Sequence, residues 1–233
     1  MTAKRQSPID IHPSVVCVDP NVCKVDSLNI DYKNGDCTDI MVTDIGFLVN
    51  VKKNCRSTFF ADHLPGNYEL AQFHAHWGKN GSEGSEHTLN GKALSGEVHF
   101  VFWNIKYGSF CEALNNSDGL AVLGVFLKEG KYNDSYSALL DTVKKATGNP
   151  KPVSLPHYFS MHDLLPSVDK RDFVTYLGSL TTPPYNECVV WTVLTSPVEV
   201  SKQQLDVFRK ICPSNHRECQ ALCGRKIHST NTL

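Results

Sequence analysis

Two histidines one residue apart, His74 and His76, lie in the β-rich run "YELAQFHAHW". Side chains in a strand alternate between faces, so both imidazoles lie on one face and can bind the same metal ion. A third ligand must come from a neighbouring strand, and "GEVHFVFWN" supplies His99 if the two strands pair antiparallel. Three neutral imidazoles leave one tetrahedral position open, which is typical of a catalytic zinc site. The alternative at each position is an ordinary hydrogen-bonded histidine.

Two polar residues accompany these histidines on the same strand faces. Gln72 lies two residues before His74, and Glu97 lies two residues before His99. Metal-bound histidines usually donate their second ring N–H to a carboxyl or carbonyl group, and both residues can accept such a bond. A charged Glu97 on a buried face would be costly without a partner. This favours the metal-ligand interpretation.

The elements that must position these residues are mostly strands. Two helices are also predicted, one from helical spacing of apolar residues in "DSYSALLDTVKKATGNP" and one from the capping-box pair Ser201 and Gln204. Short helical turns are expected near residues 109–114 and 160–164. The chain is therefore predicted to be mainly β with peripheral short helices. The runs that predict strands are "DIGFLVNVKK", "YELAQFHAHW", "GEVHFVFWNI", "LAVLGVFL" and "ECVVWTVL".

Composition and charge restrict the class of protein. The 233 residues carry 23 basic and 24 acidic side chains, and no basic block suggests a nucleic acid or a membrane surface. The longest apolar run, residues 120–127, is far too short to span a bilayer. The N-terminal "MTAKRQSPID" has no apolar stretch and does not resemble a secretory signal, although a chain that had lost its signal would look the same. We therefore expect no nucleic acid and no membrane among the partners.

The nine cysteines do not form the even, dense framework of a disulfide-rich protein. We interpret them mostly as reduced, buried thiols of a cytoplasmic protein. One cluster has the spacing C-x3-H-x2-C-x3-C, which also allows a small zinc knuckle. That spacing departs from the tight C-x2-C pairs of common structural zinc sites, so coincidence is the favoured interpretation. The cluster consists of Cys212, His216, Cys219 and Cys223.

Six stretches carry a more specific signal together than any of them alone: "QSPIDI" at 6–11, "QFHAHWG" at 72–78, "GSEHT" at 84–88, "GEVHFVFWNIKYG" at 96–108, "DGLAVLGVFL" at 118–127 and "GSLTTPPYNECVVWTVL" at 178–194. A weaker match follows in "NHRECQALCGRKI" at 215–227. Over nearly its whole length the chain resembles the α-class carbonic anhydrases. The resemblance implies a single domain over residues 1–233, with a central twisted, mostly antiparallel sheet and zinc at the bottom of a conical cavity.

The resemblance also assigns roles around the metal. It implies one zinc ion, with three ligands: His74, His76 and His99. Gln72 would hold the ring of His74, Glu97 that of His99, and the backbone carbonyl of Asn215 would orient His76.

Thr181 and Glu86 become the catalytic pair. An ionised Glu86 acts only as an acceptor, so Thr181 must donate its hydroxyl hydrogen to it and accept from zinc-bound hydroxide, which directs the hydroxide lone pair toward the substrate. The Thr181 backbone N–H would face the bound anion. Considered alone, Thr181 is an ordinary turn residue and Glu86 an ordinary surface carboxylate in a Gly/Ser loop.

The activity implied by the resemblance is reversible, zinc-dependent hydration of carbon dioxide to bicarbonate and a proton. Sulfonamides and anions would inhibit it, and the protein would be a monomer. An acatalytic carbonic anhydrase-related binding module is the alternative; such proteins typically lose a zinc ligand, and this chain retains all three. A structural zinc protein using the 212–223 cluster is the third hypothesis. The wall for carbon dioxide would consist of Val101, Val122, Leu180, Thr182, Val189 and Trp191.

Three departures from the family pattern bear on rate and stability. The usual segment before "QSP", which carries a cavity tyrosine, is missing. The region between Arg209 and Asn215 is shorter than usual, and Glu218 and Ala221 stand where prolines are usual, so local repacking near the Asn215 carbonyl is expected.

The third departure concerns the proton shuttle. Aligning "GFLVNV" on Gly46, Asn50 and Val51 puts Phe47 where many rapid members carry a shuttle histidine, with Ile45 in place of a polar residue. Slow proton release is therefore expected. The disulfide of extracellular members is not supported either, because Tyr185 takes the place of one cysteine, and this favours a cytoplasmic location.

Overall fold

The computed structural model describes residues 5–232. Strands dominate it, and the predicted fold class, mainly β with short peripheral helices, is confirmed. The strands in chain order are β1 Asp10–Ile11, β2 Val16–Val18, β3 Asn29–Asp31, β4 Cys37–Thr43, β5 Gly46–Val51, β6 Thr58–Phe60, β7 Tyr68–Trp77, β8 Thr88–Leu89, β9 Gly96–Asn104, β10 Leu120–Glu129, β11 Val153–Ser154, β12 Phe173–Gly178, β13 Val189–Val200 and β14 Ile227–Ser229. The α-helices are α1 Phe110–Ala113, α2 Ser137–Ala146 and α3 Lys202–Arg209, and short 3-10 turns lie at Pro13–Val15, Val25–Ser27, Ile105–Tyr107, Asp134–Tyr136, Met161–Leu164 and Val168–Lys170.

One large twisted sheet of twelve strands organises the molecule. Its main path runs β11-β4-β5-β7-β9-β10-β13-β12-β14-β2, and β3 and β6 extend it beside β7. Most neighbours pair antiparallel, as predicted, while β10 with β13 and β14 with β2 are parallel. The short strands β1 and β8 form a separate parallel pair.

The register of the central strands determines which side chains share a face. On β7 and β9, His74 is paired with His99 and Gln72 with Val101. The same face continues across the sheet, where Val101 is paired with Val122 on β10 and Val122 with Trp191 on β13. Polar side chains, the imidazoles and apolar side chains therefore form one continuous surface.

Two apolar clusters lie on opposite faces of the central strands. The larger contains Phe73 and Phe100, whose side chains point away from His74 and His99, together with the buried sides of α2 and α3. The smaller contains Val101 and Trp191 on the face of the histidines. Because strand side chains alternate, β7 and β9 contribute to both clusters, and this fixes the histidines against a rigid base.

The predicted helices form where the sequence signals place them. Helix α3 begins at Ser201, whose side chain accepts from the N–H of Gln204 while the Gln204 side chain accepts from the N–H of Ser201. Helix α2 buries Leu139, Leu140 and Val143. The expected short turns appear as α1 and the 3-10 turn at Met161–Leu164.

Candidate metal centre and active-site cavity

Three histidines converge on the sheet face described above. The ring centroids of His74 and His76 are 5.0 Å apart, those of His74 and His99 5.4 Å, and those of His76 and His99 4.8 Å. One nitrogen from each ring lies within 4.8 Å of the other two. The i, i+2 spacing on β7 and the antiparallel register with β9 produce this arrangement.

The second nitrogen of each ring is hydrogen-bonded to an acceptor, which fixes the ring orientation. His74 Nδ1 lies 2.9 Å from Gln72 Oε1, and His99 Nε2 lies 2.8 Å from Glu97 Oε1. His76 Nδ1 lies 3.1 Å from the carbonyl oxygen of Asn215. The nitrogens left to face one another are therefore Nε2 of His74, Nε2 of His76 and Nδ1 of His99.

Burial keeps all three imidazoles neutral. It lowers the pKa of His76 to about 4. Burial, together with the neighbouring histidines, holds the pKa of His74 well below its usual range, and burial also lowers that of His99. A neutral imidazole carries the free lone pair that a metal ion requires.

Glu97 is the centre of a buried hydrogen-bond network. Its Oε2 accepts from the backbone N–H groups of Glu86 at 3.0 Å and His87 at 2.9 Å, and its Oε1 lies 2.7 Å from His87 Nδ1. Burial alone would raise the pKa of Glu97, but His87 and His99 hold it well below the usual range. A Cβ at Gly124 would lie 3.0 Å from Glu97 Oε1, so the glycine opposite His99 leaves room for this carboxylate.

His87 completes a second cluster of possible ligands with Glu97 and His99. Its nitrogens already have partners, because Nδ1 lies beside Glu97 and Nε2 lies 2.6 Å from the hydroxyl of Tyr176. This cluster is therefore a satisfied support for His99. The role of His87 was missed from the sequence, although it lies in the quoted "GSEHT" stretch.

Glu86 is almost completely buried beside the histidines. Its Oε1 accepts from the backbone N–H of Arg217 at 2.8 Å and lies 3.3 Å from His76 Nδ1. Burial raises the pKa of Glu86 to about 7. The metal-free protein therefore departs from the expectation of a fully ionised Glu86, since a cation nearby is needed to favour the carboxylate.

Thr181 lies next to Glu86 but without the predicted hydrogen bond. Its hydroxyl is close enough to lower the pKa of Glu86, yet Glu86 Oε2 is buried with no hydrogen-bond partner among residues 5–232. Oε2 is 3.8 Å from His99 Nδ1. The structure therefore brings Thr181, Glu86 and the histidines together and leaves one carboxylate oxygen available.

An open cavity of about 640 Å³ leads to the histidines. Its floor includes His74 and His76, and one side consists of Thr181, Thr182 and the turn that follows them. The rest of the lining comes from residues in the segments 43–48 and 212–217, together with Gln72 and Ala75 beside the two histidines. Two strands and two loops from distant parts of the chain therefore enclose the site.

Four residues of the predicted apolar wall lie in strands, on the same sheet face as His99: Val101, Val122, Val189 and Trp191. The Trp191 ring centroid is 4.9 Å from that of His99. Thr182 lines the open cavity, and Leu180 packs against the smaller apolar cluster. The others are nearly inaccessible within that cluster: Val101, Val122, Val189 and Trp191.

The position of Phe47 differs from the expectation. Phe47 borders the cavity, but its ring is buried and stacks on Phe208 at 5.3 Å and on Trp77 at 6.2 Å between centroids. The reason is strand parity: Asn50 pairs with Gln72 on the histidine face, so Leu48 shares that face and Phe47 points to the opposite one. Phe47 therefore does not present a side chain at the shuttle position.

The 212–223 residues do not form a zinc knuckle. The candidate metal-binding groups among residues 5–232 are the two histidine clusters already described, and neither includes Cys212, Cys219 or Cys223. All nine cysteines are free thiols. The expectation that most are buried was wrong, because four are buried, Cys212 is half-buried and four are exposed.

A short segment that follows α3 closes the site, and we call residues 215–217 the strap. The Asn215 side chain donates to the carbonyls of Ile45 at 3.0 Å and Ala75 at 3.1 Å, and its Oδ1 accepts from the Trp77 N–H at 2.9 Å. These contacts hold the strap against β7. Neither the Asn215 side chain nor the Arg217 N–H was assigned a role from the sequence.

The site fits a zinc ion on its own geometry. His76 Nε2 is buried without a hydrogen-bond partner in the part of the chain that the structure describes, and burial favours the neutral form of all three rings. Three imidazoles with an open approach are the donor set of catalytic zinc. Each ring also has the outer acceptor that zinc-bound histidines usually have.

Comparison with known proteins defines the class. The family model of the eukaryotic-type carbonic anhydrases matches residues 1–231. The chain belongs to this family of zinc-dependent carbonate dehydratases, which are lyases. The resemblance inferred from the sequence is thereby confirmed.

Among the curated relatives are the carbonic anhydrase 3 proteins of mammals. The one from Homo sapiens is 36% identical over 224 residues, which cover 92% of this chain and 81% of the relative. The one from Rattus norvegicus is 37% identical over 222 residues, which cover 91% and 80%. Among residues 5–232, the helices are all too short and polar to cross a membrane.

Proposed function

We propose that this chain hydrates carbon dioxide reversibly to bicarbonate and a proton, using one zinc ion held by His74, His76 and His99. The observation that carries the proposal is the set of three neutral nitrogens facing one another, each ring fixed by an acceptor on its outer nitrogen. When bound, zinc supplies the nucleophile by lowering the pKa of a coordinated water to about 7, an effect for which carbonic anhydrase is itself the standard example.

Three groups of this chain hold the imidazole rings in place. Gln72, Glu97 and the Asn215 carbonyl hold the rings so that one lone pair from each points inward. Because all three ligands are neutral, they leave the positive charge of a bound zinc ion uncompensated. That charge would also favour the ionised form of Glu86, whose pKa burial raises to about 7.

Thr181 and Glu86 provide orientation in this proposal. Ionised Glu86 is an acceptor only, so the Thr181 hydroxyl donates to its free Oε2 and keeps its own oxygen lone pairs for the attacking group. The Thr181 backbone N–H serves the product anion. Fixing one hydrogen bond in this way selects the productive direction of attack.

The substrate wall explains selectivity for a small apolar molecule. Thr182 lines the cavity, and Leu180 packs against the buried apolar cluster that contains Val101 and Trp191, which is the proposed apolar surface for the substrate. Carbon dioxide gains from contact with such a surface, whereas water and ions do not. Anions and sulfonamides compete at the polar end of the same cavity.

The decisive experiment measures carbon dioxide hydration by stopped flow with zinc-loaded protein and zinc content per chain. We expect one zinc per chain, activity that a sulfonamide inhibits, and loss of both zinc and activity in His99→Ala. His157→Ala removes an exposed histidine far in sequence from the site and serves as the matched control. A zinc-replete wild type without hydration activity would contradict the proposal and leave the acatalytic binding module as the better description.

The remaining assignments are also proposals. We infer a single domain, a monomer and a cytoplasmic location, the last supported by nine free thiols that an oxidising compartment would tend to pair. Slow proton release is supported by the apolar character of Ile45 and Leu48 at the rim of the cavity. His216 is a further imidazole in the lining, and its Nδ1 lies 3.3 Å from the Trp77 carbonyl oxygen.

A further inference from the structure

Tyr185 and Arg217 form a contact across the cavity wall that no role described so far explains. The Arg217 guanidinium lies 3.9 Å from the centroid of the Tyr185 ring. Both residues line the cavity. A guanidinium over an aromatic face is attracted by the ring quadrupole and is held in a defined plane.

Tyr185 closes the turn that begins at the catalytic loop. Its backbone N–H donates to the Thr182 carbonyl at 2.9 Å, and its φ of 61° lies in the left-handed region that non-glycine residues rarely adopt. Such a conformation persists where the surrounding contacts enforce it. The ring of Tyr185 is thus held at a fixed distance from Thr181 and Thr182.

Arg217 connects this turn to the carboxylate at the metal centre. Its Nη1 donates to the Ser7 carbonyl at 2.7 Å and to Gln6 Oε1 at 3.0 Å, while its backbone N–H donates to Glu86 Oε1 at 2.8 Å. The ion pairs among residues 5–232 do not include Arg217, so the aromatic face and neutral oxygens are what hold its guanidinium. One residue therefore contacts both the turn and Glu86.

We propose that Tyr185 is a positioning residue for the reaction, which clamps Arg217 and so fixes the separation between the Thr181 hydroxyl and Glu86. The inference rests on the proposed function for its kinetic consequence, but its structural consequence exists without metal. Thr181 and Tyr185 belong to one loop, whereas Glu86 contacts the strap. The ring–guanidinium contact joins the two side chains directly. Gln6 also bridges the two residues, since its side chain donates to the Tyr185 carbonyl at 3.2 Å and accepts from Arg217 Nη1 at 3.0 Å.

The physical consequence of removing the ring is looser coupling of the two loops. Tyr185→Leu keeps apolar bulk and removes the quadrupole, whereas Tyr185→Phe keeps the ring and removes only the hydroxyl. We expect Tyr185→Leu to lower kcat/KM of the zinc-loaded enzyme by about 3- to 10-fold. We expect Tyr185→Phe to keep kcat/KM at the wild-type value, because the ring face and not the hydroxyl makes the contact.

A second readout needs no metal and no activity. Amide hydrogen exchange of the Arg217 N–H reports whether its bond to Glu86 opens. In the metal-free protein we expect this amide to exchange about 3- to 10-fold faster in Tyr185→Leu than in wild type, and at the wild-type rate in Tyr185→Phe. Tyr158→Leu changes an exposed tyrosine, 67% accessible, and is the matched control.

The two readouts separate this inference from the proposed function. If zinc-loaded wild type is inactive, the proposed function fails, and the exchange experiment still tests the clamp. If wild type is active and Tyr185→Leu leaves both exchange and kcat/KM unchanged, the clamp is wrong and the function stands. An equal loss in Tyr185→Phe would also overturn it.

A variant on the other side of the contact covers a folding failure of Tyr185→Leu. Arg217→Lys keeps the charge and the backbone N–H but loses the planar group that stacks on the ring. We expect the same faster exchange at residue 217 and the same direction of change in kcat/KM. Wild-type exchange in this variant would show that the planar contact fixes nothing.

Discussion

The two halves of the site are built by different means. The sheet half consists of the metal-facing residues on β7 and β9, where strand alternation and one register place three imidazoles and two of their acceptors. The loop half consists of residues 181–185 and the strap. The strap reaches the site through contacts between residues 131 and 139 positions apart in the chain, Glu86 with Arg217 and His76 with Asn215. The sheet half can therefore bind the metal on a rigid base, whereas the loop half supplies orientation and is easier to disturb.

The strongest test of this difference removes the acceptor at the centre of the sheet half. Glu97→Ala takes away four hydrogen bonds from Glu86, His87 and His99. We expect zinc affinity to fall by about 10- to 100-fold, as for other outer partners of metal ligands, and the unfolding free energy to fall by about 3–5 kcal/mol. Zinc titration and urea unfolding measure the two effects.

The control for this test is Glu112→Ala, which removes an exposed carboxylate on α1. It should change neither quantity. If Glu97→Ala also leaves zinc affinity unchanged, the sheet half does not depend on its hydrogen-bonded acceptors.

The pH dependence of the stability of the metal-free protein tests the sheet half of the site. Burial lowers the pKa of His76 and of His63 to about 4, and lowers those of His74 and His99. The unfolded chain binds these protons near the ordinary pKa of 6.5, so unfolding takes up protons between about pH 6.5 and pH 4 and stability rises with pH across that window. Glu86 acts in the opposite direction, since its raised pKa of about 7 makes its contribution fade between pH 4.5 and 7.

Together the four histidines affect the pH dependence of the unfolding free energy more than the single carboxyl group of Glu86 does. We expect the unfolding free energy of the metal-free protein to fall by roughly 2–5 kcal/mol from pH 7 to pH 5, measured by urea unfolding at each pH. His63 lies outside the site, where it packs on Phe173, so His63→Gln should remove only one proton from the slope. A slope that vanishes in His63→Gln would show that the metal-facing histidines contribute nothing.

The loop half is tested by Thr181→Ala. Losing one oriented hydrogen bond to a charged group should cost about 1.5–3 kcal/mol, or about 10- to 150-fold in kcat/KM, while zinc content stays near one per chain. Stopped-flow kinetics and metal analysis on the same sample measure both. Thr182→Ala, which changes the neighbouring hydroxyl, should have a smaller effect, and an unchanged kcat/KM in zinc-replete Thr181→Ala would remove Thr181 from the mechanism.

The smallest expected effect concerns proton release at the rim. Without an efficient carrier, release to water is limited to about 10³ s⁻¹ for a group with a pKa near 7, so kcat in dilute buffer should be low and rise with added imidazole while kcat/KM stays constant. Leu48→His places an imidazole on the cavity face of β5 and should raise kcat several-fold in dilute buffer. Phe47→His, which points into the core, should not.

The result that would contradict this prediction concerns His216, a further imidazole that lines the cavity. If wild type turns over far above that limit without a response to buffer, a side chain in the cavity carries the proton. A fall in kcat in His216→Gln, with kcat/KM unchanged, would then identify His216 as that side chain.

The sheet half was predictable from residue types, because period-two alternation puts His74 and His76 on one face and antiparallel pairing brings His99 to them. The same rule explains the error at Phe47: three positions separate it from Asn50, so the two side chains lie on opposite faces. The assignment of Phe47 took no account of this alternation. Applying the alternation to β5 would have pointed to Leu48.

Most of the loop half could not be predicted from residue patterns. The Arg217 N–H that reaches Glu86 is a backbone group present at nearly every residue, so nothing in the sequence distinguishes it. The Tyr185–Arg217 contact depends on the path of two loops, and the burial that raises the pKa of Glu86 depends on tertiary packing. The resemblance implied that the Asn215 carbonyl orients His76, but the three hydrogen bonds of the Asn215 side chain are evident only from the structure.

The late position of the strap in the chain has a consequence for biosynthesis. A ribosome makes His74, His76 and His99 more than a hundred residues before Asn215 and Arg217. The nascent chain can therefore display all three histidines while His76 still lacks its acceptor and Glu86 its backbone donor. The centre reaches its final form only when the strap has been added, so a chain that stops before Asn215 would carry the three histidines without the part that orients them.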